Sequence, residues 1–286
     1  MKEMEKKNIN FRLYRYHLLT LSTDESQVSM FPKKRMKTSE IIQKKNVFFD
    51  TVLSSLTDSK NNTNPIRLHD HDDEYYVFKI AQKKTTRITQ DFKNQFISNE
   101  PYSYVIINNN NNIQKIAISE NGEAFSNTQV VKNILSKVFK KELEKFQLNI
   151  AIEPLFDSKN FWEYVEKYKN DLTYINFQYI KPNLASISKS LPEDFKKFAE
   201  KVNSHESHLS IKAPDNGILE NINKQNPIIN GLVEYSSQGA GNIKLKVKKI
   251  RKQLNTSDKP VIQQIDELEI EGAPEQVFKL YKSIVE

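Results

Sequence analysis

The 286-residue sequence predicts an α+β protein: an antiparallel β-rich amino-terminal half, joined by a long helix to a mixed α/β carboxy-terminal half. Three observations predict it. Strand-like runs bounded by polar turns crowd into the first 120 residues. From Ser126 onward, runs with helical spacing alternate with strand-like ones. No glycine-rich strand-to-helix turn is present, as a doubly wound nucleotide-binding sheet would require.

The elements follow in order. Phe11 to Ser22 is rich in aromatic and aliphatic residues and reads as a strand. Ser26 to Lys37 is a loop containing Lys33-Lys34-Arg35. Glu40 to Leu56 is an amphipathic helix with Ile41, Ile42, Phe48, Phe49, Val52 and Leu56 as its stripe and Thr38 or Ser39 as its cap. Strands follow at Ile66 to His69, Tyr75 to Ala81 and Tyr102 to Ile107, and a fourth, Ile113 to Ser119, closes a hairpin across Asn108 to Asn112. Ser126 to Phe146 is the strongest helix: Ser126 and Gln129 have capping-box spacing, and Val131, Leu135, Phe139 and Leu143 keep the period.

The second half alternates. Leu148 to Glu153 is a strand, Ser158 to Tyr168 a helix and Leu172 to Ile180 a strand. Pro192 to Asn203 is a helix with proline in its first turn, Leu209 to Lys212 a short strand and Pro227 to Tyr235 a helix. After the Gly239-Ala240-Gly241 turn come strands Ile243 to Ile250 and Val261 to Ile270, then a helix from Pro274 to Val285. This order predicts a β-rich domain over 1–125, a connecting helix over 126–146 and an α+β domain with a basic hairpin over 147–286.

Composition narrows the function classes. The chain has no cysteine, so disulfides, thiolate catalysis and cysteine-bound zinc are excluded. No apolar run is long enough to span a bilayer, and the first seven residues carry no apolar stretch of a secretory signal. A cytoplasmic protein without membrane insertion of its own is the expectation. The net charge of +7 and pI near 9.1 favour attraction to polyanions without specifying one.

One segment concentrates that charge. Six basic residues fall between Lys244 and Lys252 with no acid among them: Lys244, Lys246, Lys248, Lys249, Arg251 and Lys252. In Ile243-Lys244-Leu245-Lys246-Val247-Lys248, cationic and apolar residues alternate, so a strand puts the lysines on one face and the apolar residues on the other. Gly239 and Gly241 precede this strand and would let backbone amides approach a phosphate. Lys137, Lys140 and Lys141 on the long helix form a second basic patch. An internal explanation competes: Glu267, Glu269 and Glu271 alternate in the same way, and antiparallel pairing of their strand with the basic one would set carboxylates opposite the ammonium groups. The residues leave both readings open.

Other chemistry is less organised. His69-Asp70-His71-Asp72-Asp73-Glu74 contains metal-ligand residue types, and a metal-dependent enzyme centred on His69, His71 and Asp72 is one alternative. Adjacent strand residues diverge, however, and a turn between two strands explains the segment better. Glu74 has Tyr76, not lysine, two positions on, so a D-(E/D)-x-K nuclease core is missing. His205-Glu206-Ser207-His208 lacks H-E-x-x-H spacing, and neither a G-x-S-x-G nor a Walker loop occurs. The sequence therefore assigns no catalytic residue, no metal and no cofactor. The aromatic group Phe161, Trp162, Tyr164, Tyr168, Tyr174, Phe177 and Tyr179 has the spacing of core packing.

Asn149-Ile150-Ala151-Ile152-Glu153-Pro154-Leu155, the strand ending Ile180-Lys181-Pro182-Asn183, and Gln238-Gly239-Ala240-Gly241-Asn242 before the lysine-rich strand occur in an order that resembles RexA-like phage-exclusion proteins. The likeness extends to related antiphage proteins such as the KwaB component of Kiwa systems. It implies a soluble, non-enzymatic, homodimeric sensor that binds double-stranded DNA and acts with a separate membrane protein. It supplies no catalytic residues. The basic segment is assigned from residue type and spacing alone. A protein-interaction module of a defence complex is the remaining alternative.

Overall fold

In the computed structural model, which describes residues 8–21, 37–56, 63–181, 193–202, 204–266 and 273–286, antiparallel sheets and helices combine into an α+β fold. The contacts group the chain into two compact units. The first comprises Met1–Arg12, Thr20–Ile150 and Ile262–Glu286, and the second comprises Leu13–Leu19 and Ala151–Val261. The boundaries expected at 125 and 146 both fall inside the first unit.

The larger sheet runs in the order β13 (Ile262–Asp266), β1 (Asn8–Thr20), β7 (Lys115–Ser119), β6 (Tyr102–Asn108), β3 (Tyr75–Ala81), β2 (Ile66–His71), and β8 (Leu148–Pro154) also pairs with β1. In the first unit, Val105–Asn108 and Ile116–Ser119 are buried at consecutive positions, so both faces of these strands are covered. On one side lies α6 (Pro274–Val285), whose Tyr281 ring sits 5.6 Å from Tyr104, and Asn108 donates to the Val285 carbonyl at 3.2 Å. On the other side α1 (Thr38–Ser55) bonds Tyr76 through Asp50 and meets α2 (Thr128–Leu143) through an edge-on Phe49–Phe139 contact at 5.1 Å.

Local chemistry corrects several boundaries. Asn127, not Ser126, caps α2, its side chain accepting from the Val130 amide at 3.2 Å. Lys37 precedes α1, and Glu40 accepts from its backbone amide at 3.4 Å. Ile42 is half exposed and lies outside the α1 stripe, whose place is filled by Asn46, hydrogen-bonded to Asn109 at 2.9 Å.

A separate ribbon interrupts the first unit where no strand was expected. β4 (Lys84–Gln90) pairs with β5 (Lys93–Asn99) along its whole length as an independent two-stranded sheet. Its two-residue turn, Asp91-Phe92, holds both residues at positive φ, 49° and 59°. Left-handed backbone costs a non-glycine residue about 1–2 kcal/mol.

The second unit is built on a four-stranded sheet ordered β10 (Glu206–Lys212), β9 (Leu172–Ile180), β11 (Ile243–Val247), β12 (Leu254–Asn255). The inward residues Ile175, Phe177, Ile243 and Leu245 are buried in a cluster with Phe161 and Val165 of α3 (Ser158–Tyr168) and Leu232 and Val233 of α5 (Pro227–Tyr235). Asn226 caps α5, with Pro227 at its first position. Helix α4 (Glu193–Lys201) adds Ala199, and Phe195 meets Tyr179 edge-on at 5.2 Å. Most of the aromatic group read as core is core: Phe161, Phe177 and Tyr179 are buried, Tyr164 and Tyr168 pack against them, and Trp162 meets Phe161 edge-on at 4.9 Å, whereas Tyr174 is half-buried on the opposite, polar face of the sheet. Among the described residues no helix is long and apolar enough to cross a membrane.

Candidate nucleic-acid interface

The alternation of Ile243–Val247 appears in full: Ile243, Leu245 and Val247 are buried, while Lys244 and Lys246 are exposed. The apolar side is drawn into the core, and that commits the lysines to the opposite face. The register shows what stands next to them. Lys244 lies opposite Asn176 of β9 and Asn255 of β12, and Lys246 opposite Tyr174. On the other side of β9, Asn176 faces Ser210 and Tyr174 faces Lys212. Two transverse rows result on one polar face, Ser210–Asn176–Lys244–Asn255 and Lys212–Tyr174–Lys246.

This arrangement decides against the alternative in which the basic strand pairs with the one at 262–266. β13 belongs to the other sheet and pairs with β1, Asn8 opposite Asp266 and Arg12 opposite Ile262. The partners of β11 are β9 and β12, which place neutral side chains beside the lysines. Glu267, Glu269 and Glu271 lie outside the described residues, as does Lys33-Lys34-Arg35.

Hydrogen bonds order the rest of the face, which carries one carboxylate, Glu206. Asn176 donates to the Ser210 hydroxyl at 2.7 Å, and Tyr174 and Ser210 share a hydrogen bond at 3.1 Å. Gln178 donates to Glu206 at 2.9 Å, and His208 bridges Glu206 at 3.0 Å and Asn176 at 3.3 Å. The Lys246 ammonium lies 5.6 Å from the centre of the Tyr174 ring, within cation–π range. Lys212 approaches Asp215 at 3.8 Å, a solvent-exposed pair of little energetic weight.

The basic residues after β11 divide by partner. Lys248 donates to the Asn216 carbonyl at 2.9 Å, which anchors the side chain while keeping its charge. Lys252 lies 3.4 Å from Asp258. Lys249, at φ 64°, and Arg251 are exposed. Among the described residues, Lys244, Lys246, Lys249 and Arg251 have no carboxylate within ion-pair distance.

Gly239 and Gly241 have a different role from the one expected. Both are buried. A Cβ on Gly239 (φ 78°) would lie 2.6 Å from Cβ of Arg15, and one on Gly241 (φ 155°) would lie 1.9 Å from the Gln178 carbonyl oxygen. They let one turn of π-helix, Ser236–Ala240, pass against β1 and the chain enter β11 alongside β9. Lys137, Lys140 and Lys141 are exposed on α2, in the first unit.

Sequence reasoning missed Arg15. Its side chain is buried beneath Gly239, its Nε has no hydrogen-bond partner, and burial pushes its pKa down to about 10, so it stays cationic at neutral pH. The available signal was an arginine between two tyrosines, Tyr14 and Tyr16, inside the aromatic-aliphatic run FRLYRYHLLT.

His69-Asp70-His71 continues β2, and Asp72–Glu74 form the turn into β3. The Asp72 carboxylate accepts from the Glu74 and Tyr75 amides at 3.2 and 3.0 Å and pairs with Lys282. His71 stacks on Tyr76 at 5.8 Å, and His69 lies 6.1 Å from Tyr104. Among the described residues, no three His, Asp or Glu side chains converge as metal ligands would. No family model matches the chain, and no curated protein matches it.

Proposed function

We propose that the chain binds double-stranded DNA with little sequence preference through the polar face of its four-stranded sheet and the basic turn that follows β11. The observation that carries this reading is the register of β11, which sets two exposed ammonium groups beside Asn176, Tyr174 and Asn255 instead of beside carboxylates. Lys244, Lys246, Lys249 and Arg251 contact phosphates and displace condensed counterions, and Lys248 and Lys252 add charge at the edge. Asn176, Gln178 and Ser210 supply hydrogen bonds that phosphate or sugar oxygens accept, and no base-reading fork of arginines is needed.

The resemblance to RexA-like proteins supports an antiphage setting, in which a dimer signals DNA binding to a separate membrane-bound effector. Two copies would double the basic surface and raise the effective concentration of a weak site. Tyr174 beside Lys246 also favours base stacking, the mode of single-strand binders. Competition between duplex and single strands at two salt concentrations separates the two modes. Tighter, steeply salt-dependent duplex binding supports the proposal, and binding of neither form refutes it.

A further inference from the structure

The β4–β5 ribbon is not explained by stability. Among the described residues it pairs only with itself, and an isolated two-stranded hairpin is marginal in water. At its tip Phe92 is fully exposed, 103% of the reference area, and stands at φ 59° where asparagine or glycine is the favoured residue. A bulky ring in a disfavoured backbone state with no described residue packed on it points to a use outside the chain.

The remaining side chains identify the partner. Between Lys84 and Asn99 there are three cations, Lys84, Arg87 and Lys93, and one acid, Asp91. The apolar residues are split between the two faces. Phe96 lies opposite Arg87 on one side, while Ile97 and Ile88 lie on the other, opposite Thr86 and Gln95 and between Lys84 and Lys93. A protein-docking surface needs a contiguous apolar centre, and this ribbon has none. A cationic ribbon with an aromatic tip suits a duplex. Seven residues per strand reach about 24 Å, the rise of about seven base pairs.

We propose that the β4–β5 hairpin is a DNA-bending arm, following the minor groove with Lys84, Arg87 and Lys93 along the phosphates and wedging the Phe92 ring between two base pairs. The inference rests on the duplex-DNA reading above and adds a deformation step to it. Deformation of the duplex, instead of base contacts, would then give the protein its preference among sequences, favouring flexible pyrimidine–purine steps.

Phe92→Gly tests the arm in the full chain, because Asp-Gly is a preferred sequence for this turn and the variant keeps the hairpin while removing the ring. The probe is a duplex carrying 2-aminopurine and a donor–acceptor pair at its ends. Wild-type protein is expected to raise 2-aminopurine fluorescence and shorten the end-to-end distance. Phe92→Gly loses both signals and binds about tenfold more weakly. Equal unstacking and bending by the variant overturns the arm while leaving the basic sheet face in place. A shift of the variant's mass from dimer to monomer in light scattering also overturns it, by assigning the ribbon to self-association. Wild-type protein that binds no duplex overturns the DNA reading itself and the arm with it.

Discussion

Replacing Lys244 and Lys246 with alanine removes two of the four cations, Lys244, Lys246, Lys249 and Arg251, proposed to contact phosphates. If Lys244, Lys246, Lys249 and Arg251 each neutralise one phosphate, they contribute about −3.6 to the slope of log K against log salt. Between 50 and 200 mM salt, their contribution lowers affinity by roughly 150-fold in wild type and by roughly 12-fold in the double variant, whose slope is shallower by about 1.8. The variant is weaker at low salt, and its deficit shrinks as salt rises. Both side chains are exposed on a strand whose opposite face is fully buried, so thermal stability changes little. Fluorescence anisotropy on two unrelated 20-base-pair duplexes reads both the slope and any sequence preference. An unchanged slope, or a loss confined to one duplex, refutes the electrostatic reasoning.

Four further outcomes follow from the packing. Gly241→Ala places a methyl group 1.9 Å from the Gln178 carbonyl oxygen, so it costs about 3 kcal/mol or more and uncouples β11 from β9, which urea denaturation measures. Phe177→Ala empties a fully buried site and lowers stability by about 3–5 kcal/mol in the same assay. Asn127→Ala removes the α2 cap and costs about 1 kcal/mol, read as a lower melting temperature. Burial alone would raise the Asp72 carboxyl, but bonds from Lys282 and from the Tyr75 and Glu74 amides outweigh it and hold the pKa below its ordinary value. Such a carboxylate stabilises the fold above its unfolded pKa and stops doing so as pH falls through the folded one. Asp72→Asn therefore melts lower than wild type at neutral pH, and calorimetry shows the gap closing in strong acid.

Sequence and structure agree where periodicity, capping and burial act together. Ser158 to Tyr168, Leu172 to Ile180, Pro227 to Tyr235 and Pro274 to Val285 were legible end to end, because each couples an apolar period to a start or stop residue. The two faces of β11 were legible for the same reason. Its partners were not. Strand pairing is a non-local choice, and the nearby acidic run looked like a complement, whereas β9 and β12 supply the register. Residues 84–99 carried no signal, because nothing in that ribbon is buried to impose alternation and its turn uses Asp91-Phe92 without glycine. The spacing of Gly239 and Gly241 marked a close approach correctly, but could not say that Arg15 and Gln178, not a phosphate, fill the space.

Lysine reactivity measured by mass spectrometry after brief acetylation, with and without saturating duplex DNA, tests the central claim most directly. If the polar sheet face is where DNA sits, Lys244 and Lys246 become protected while Lys169, paired with Glu166 on the same unit, reacts as before. Equal labelling of Lys244 and Lys246 in both states would contradict the account, whatever affinity the protein shows.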